Sequence, residues 1–143
     1  MSGLDTLVRL HRWRVDEKQR HLAELQRMRA DLEARAAGLS AEMERESELA
    51  GREPELRAVF PAYVAGAQHR REVLRKSCTE VDAKIETARE ELNAAFREAK
   101  KYEIAAENRA KRANAAVARR LRAELDEIGA EGYRRRQGEA RSS

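Results

Sequence analysis

The chain has 143 residues, of which 39% are charged, against roughly 25% in an average globular protein, and only 4% are aromatic. Bulky apolar groups are needed to offset the entropy lost when a chain orders, so a layered enzyme domain with a deep pocket is not expected. Thirty Lys and Arg against 26 Asp and Glu leave a net charge of +4, and the single cysteine, Cys78, excludes an intramolecular disulfide framework or a multi-cysteine zinc site.

The N-terminus shows no basic segment followed by an apolar run, and no apolar stretch approaches the ~20 residues of a membrane span. The expected compartment is therefore the cytoplasm, with no direct membrane insertion. From residue 4 to residue 50 one series of positions alternates steps of four and three. It comprises Leu4, Val8, His11, Val15, Lys18, Leu22, Leu25, Arg29, Leu32, Ala36, Leu39, Met43, Glu46 and Ala50. That is a heptad seam, mostly apolar, with good helix formers around it. A helix over residues 4–50 would be about 70 Å long.

The pattern stops at Gly51-Arg52-Glu53-Pro54. Pro54 lacks a backbone donor and biases Glu53 away from helical geometry. Residues 51–61 are predicted to form a bend, with a short helical turn around Glu55–Val59. Pro61 suits the first position of the next helix.

A second helix is predicted over about 62–130. Its seam runs through Leu74, Cys78, Val81, Ile85, Ala88, Leu92, Ala95, Ala99, Tyr102, Ala106, Arg109 and Ala113. The spacing then drifts to Val117, Leu121, Glu124 and Ile128, a run of steps that locally relaxes a left-handed supercoil. Gly129 and Gly132 are expected stops. Residues 137–143 are expected to form a disordered tail.

Two such helices joined by a short bend give an all-α fold, an antiparallel coiled-coil hairpin over residues 1–136. A bend near residue 56 sets Asp16 opposite the neighbourhood of Phe96. It leaves the second helix overhanging the first from about residue 113. The overhang carries Ala113, Ala116, Val117, Leu121, Leu125 and Ile128 without an intrachain partner. Isolated helices are marginal in water, so this stripe expects another protein or self-association.

Charge is distributed unevenly on this hairpin. Residues 1–29 are net +3, residues 30–96 net −4 and residues 97–136 net +5. The open end is thus basic and the bend half acidic, a layout that steers partners of opposite sign. Candidate contacts at the open end are Arg9, Arg12, Trp13, Arg112, Arg119, Arg120 and Arg122, with Arg14, Arg109 and Lys111 in the same basic end.

No constellation of catalytic residues stands out, and no cofactor or metal is implied. His11 lies on the seam with Val15, not a ligand, four residues on, while His21 and His69 lie among polar groups. Cys78 on the seam reads as a small apolar packer. Trp13, off the seam between two arginines, either covers the neighbouring groove or meets a partner. Phe60 and Tyr63 flank Pro61 and either plug the end of the coiled coil or form an exposed aromatic knob. Phe96 and Tyr102 read as core spacers.

Two stretches carry a family resemblance. One is Leu4-Asp5-Thr6-Leu7-Val8-Arg9-Leu10-His11-Arg12-Trp13-Arg14-Val15-Asp16-Glu17-Lys18, running to Leu25. The other is Phe96-Arg97-Glu98-Ala99-Lys100-Lys101-Tyr102-Glu103 through Glu107-Asn108-Arg109. Together with length, mid-chain bend and overhang, they resemble the flagellar FliJ proteins over roughly residues 4–136.

The resemblance implies a non-enzymatic component of the flagellar type III secretion apparatus, related to flagellum biogenesis and chemotaxis. It would sit in the cytoplasm, peripheral to the inner face of the membrane at the flagellar base. The implied partners are the hexameric export ATPase, whose ring receives the open end, and the cytoplasmic domain of the export-gate membrane protein. Other export chaperones are further implied partners, and the protein would act as a chaperone-like escort.

In that family an aromatic early in the second helix contacts the gate, with small or apolar residues one and two turns on. Tyr63 and Ala67 fall on those positions, next to Phe60. Two family tyrosines fall on Glu42 and Glu46, and a histidine falls on Leu74, which are departures. The competing readings are a structural coiled-coil adaptor or homodimer, and a basic nucleic-acid-binding helical protein. Interspersed acids weigh against the last. Lys18, Arg29, Glu46 and Arg109 on the seam weigh against a parallel self-dimer.

Overall fold

A computed structural model describes residues 2–142. Helix α1 spans Gly3–Arg52, a short α2 spans Pro54–Arg57, and α3 spans Phe60–Ser142. The N-terminus of α1 is closed by Ser2. Its hydroxyl accepts the Asp5 backbone N–H at 3.3 Å and donates to the Asp5 carboxylate at 3.0 Å. This cap satisfies a backbone donor that the first turn would otherwise leave open.

The bend falls where both prolines are. Glu53 is extended at φ −115° and ψ 112°, as the residue before Pro54 must be, and Pro54 opens α2. Arg57 then folds back on the end of α1. Its Nε donates to the Ala50 carbonyl and its Nη2 to the Gly51 carbonyl, both at 3.0 Å. Those carbonyls lie in the last turn of α1, where no intrahelical N–H reaches them. Helix α3 begins at Phe60, with Pro61 second, where its missing N–H costs nothing.

The chain divides into two units, His11–Glu98 and Met1–Leu10 with Ala99–Ser143. In the first, α1 and α3 run antiparallel on either side of the bend. Leu25, Val81, Ile85 and Ala88 form the buried centre, flanked by Leu22 and Leu32. Polar residues on and beside the seam reach across the hairpin. Lys18 Nζ pairs with Glu91 at 2.9 Å, Arg29 Nε with Asp82 at 2.7 Å, and Arg70 Nη1 with Glu42 at 3.5 Å. The partner number falls along α3 as it rises along α1, which is the antiparallel register. The long stems of Lys18 and Arg29 cover the seam while their charged ends stay wet.

Every seam position predicted on α1, from Leu4 to Ala50, is buried or half-buried. On α3 the same holds from Leu74 to Ala106, and the covered line extends back through Tyr63, Phe60 and Leu56. In the second unit, Val8 and Ala99 are buried and Tyr102 and Ala106 half-buried. Beyond Ala106, Ala116 and Gly132 are the only described residues that are not exposed. The overhang therefore begins before Arg109, a few residues earlier than the tight-bend estimate near 113.

Two expectations are corrected. Helix α3 passes through Gly129 and Gly132 and includes residues 137–142, where a stop and a disordered tail were expected. No described glycine has a positive φ, and Ala, Glu and Arg around these two favour continued helix. Phe96 is 46% exposed and is not a core spacer, because it follows the seam residue Ala95 and is rotated off the contact line.

Candidate functional site

Two regions carry the candidate residues. The first lies in the hairpin near its bend. Phe60 and Tyr63, one turn apart on α3, stack with ring centroids 6.2 Å apart and planes at 25°. Both are half-buried, so the pair is neither a sealed plug nor a free knob. Ala67, the next turn on, has no accessible surface at all. It holds α1 and α3 close instead of presenting a face.

Tyr63 meets charge from α1. Its Oη is buried and finds no hydrogen-bond partner among the described residues. Burial pushes the phenol above its ordinary value, and the Glu42 and Glu46 carboxylates add to the rise. Arg70, one helical turn past Ala67, pulls the other way and pairs with Glu42. The phenol, two carboxylates and one guanidinium thus form one cluster. The two α1 positions noted as departures, Glu42 and Glu46, are the ones that face Tyr63.

Beside this cluster runs an open, mainly apolar groove between the helices. Leu39, Val73 and Leu74 line it, with Arg35, Glu42 and Arg70 at its rim. Sequence reasoning placed Leu74 on this face but missed Arg35, Val73 and Arg70. The available signal was their position beside the seam, since flanks of a two-helix seam necessarily border its groove.

The second region is the set of basic residues. Arg9, on α1, and Arg112, Arg119, Arg120 and Arg122, on α3, are exposed in the unit that contains residues 99–143. Arg12 and Trp13 belong to the hairpin unit, and Trp13 is 58% exposed. Its ring does not seal the groove beside the seam, because it lies two residues from Val15 and points away from α3. On the overhang, Val117, Leu121, Leu125 and Ile128 are also exposed.

His11 is buried on the seam, whereas His21 and His69 are exposed. Cys78 is half-buried, and Arg29 Nη1 donates to its Sγ at 3.4 Å. Among the described residues no group of His, Cys, Asp and Glu could hold a metal ion, and no helix is long and apolar enough to cross a membrane.

The sequence profile of the flagellar FliJ proteins matches residues 1–138. The chain belongs to the flagellar FliJ family. Membership makes it a flagellar, export-related protein, and the helical hairpin agrees with a coiled-coil member of that family. No curated protein and no solved structure matches the chain.

Proposed function

We propose that the protein is a non-enzymatic coupling component of flagellar type III export. It connects the hexameric export ATPase to the cytoplasmic domain of the export gate and serves as a chaperone-like escort. It acts from the cytoplasm at the inner face of the membrane. The observation that carries this reading is the long uncovered part of α3, where Val117–Ile128 lie exposed next to Arg112, Arg119, Arg120 and Arg122. A narrow helical element of about 10–20 Å suits the central opening of a ring. Basic side chains on it suit acidic groups lining that opening.

The groove and the Tyr63 cluster are the proposed gate contact. Phe60 and Tyr63 offer partly exposed, stacked rings for a partner to pack against. Ala67 contributes by packing. Glu42 and Glu46 are set against Arg35 and Arg70 around the groove, so this face is apolar with a rim of mixed charge.

Stimulation of the export ATPase in vitro tests the first contact. Reversing Arg119, Arg120 and Arg122 to glutamate should reduce stimulation, and unchanged stimulation refutes the assignment of that segment. Binding to the gate's cytoplasmic domain tests the second. Tyr63→Ala should weaken it while ATPase stimulation persists. Loss of both would make Tyr63 a structural residue.

A further inference from the structure

The overhang of α3 is not uniformly basic. At about 100° per residue, Val117, Leu121, Leu125 and Ile128 fall on one face of the helix. They are 61%, 56%, 59% and 65% exposed. Around this stripe the charges are sorted by sign. Arg119, Arg120 and Arg122 lie in its first half, while Glu124, Asp126 and Glu127 lie in its second. A shallow acidic hollow lined by Glu124, Glu127, Ile128 and Glu131 closes that second half.

An apolar stripe that is positive at one end and negative at the other is complementary to its own reverse. We infer that α3 pairs with a second copy of itself, antiparallel, through Val117–Ile128, about a two-fold axis passing near Ala123. Val117 then packs against the partner's Ile128, and Leu121 against the partner's Leu125. Arg120 and Glu127 are one heptad apart and so share a flank of the stripe. In the antiparallel register Arg120 faces the partner's Glu127, and the two-fold axis repeats that pair. A parallel register would forgo the Arg120–Glu127 pairs and lay the basic half of each stripe beside the other's basic half and the acidic half beside the acidic half, which repels. The charge order therefore selects both the occupant and its direction.

The contact is isologous and closes on itself, so it yields a dimer and not a filament. Four large apolar side chains per copy make a small interface, in the class below about 1,200 Å² that gives weak, concentration-dependent association. The pairing does not rest on the export reading. It does cover Arg120 and its neighbours, so pairing and entry of this segment into an ATPase ring would exclude each other.

Sedimentation velocity on the full chain, over two orders of magnitude in concentration, tests the inference. The wild type should shift from monomer toward dimer as concentration rises. Arg120→Glu and Glu127→Arg should each weaken the dimer by about tenfold or more, since each replaces two attractive pairs with two repulsive ones. The double reversal should restore it. Both positions are exposed on a helix, and far-UV helicity should be unchanged in all three variants. A chain that stays monomeric throughout overturns the inference and leaves the stripe to a different protein. A dimer indifferent to the single reversals, or a double variant no better than the singles, overturns the antiparallel register.

Discussion

Truncation of Leu25 to alanine separates the covered seam from the uncovered one. Leu25 is 5% exposed and lies in the cluster formed with Val81, Ile85 and Ala88, with Leu22 and Leu32 alongside. The substitution removes three carbon groups at about 0.8 kcal/mol each, or about 2.4 kcal/mol of transfer free energy. A cavity term adds to this in a thick core. A two-helix interface has only one layer of side chains, so neighbours and water fill most of the gap. The total should stay near the bottom of the usual ~2–5 kcal/mol range, at about 2–3 kcal/mol. For a domain of this size that lowers the melting temperature by roughly 7–10 °C. Thermal unfolding followed by far-UV circular dichroism, at low protein concentration, measures it. Leu121→Ala is the control, because Leu121 is 56% exposed. Its effect should stay within about 0.5 kcal/mol. Equal losses at the two positions, or a loss below about 1 kcal/mol at Leu25, would refute the seam packing described for α1 and α3.

Arg57→Ala removes both side-chain donors from the carbonyls of Ala50 and Gly51 and should destabilise the hairpin by about 1–2 kcal/mol in denaturant titrations, whereas Arg57→Lys should recover only part. The Glu91 carboxyl is held below the usual glutamate range by the hydrogen bond from Lys18 and then by its charge. Stability from this pair is thus present above the unfolded carboxylate value and lost as pH falls through the lowered folded one. Lys18→Met should return the Glu91 titration, followed by NMR, toward the ordinary range, and an unmoved titration would contradict the pairing. Tyr63 ionises above the usual phenol range, so the folded state holds that proton more tightly and unfolding becomes easier as pH rises through its raised value. Glu42→Gln with Glu46→Gln should lower its midpoint in tyrosinate absorbance, read as the difference from the same variant carrying Tyr63→Phe.

Much of this arrangement is legible in single-residue terms. Leu4 through Ala50 and Leu74 through Ala106 keep heptad spacing, and each of these seam positions is covered in the structure. Pro54 and Pro61 mark the bend because backbone chemistry forbids an uninterrupted helix there. Ser2 ahead of the first periodic apolar residue also spells an N-cap, a signal that can be read from sequence. The end of α3 was less legible, since glycine is a common stop but only where the backbone turns to positive φ, and neither Gly129 nor Gly132 does.

The candidate contacts divide differently. Residue type alone marked Tyr63, Phe60 and the arginines of the overhang. It could not show that Ala67 has no surface, that Trp13 and Phe96 are exposed, or that Arg70 returns to Glu42 beside Tyr63. Periodicity reports on which residues face the seam, a property of one helix. Which flanking residues meet depends on the axial register between two helices, and that register is set by the bend. The sequence by itself determined the helices, the place of the bend and the separation of charge along the chain. Tertiary structure decided which charges meet, and left the apolar stripe of Val117–Ile128, with its sorted charges, exposed.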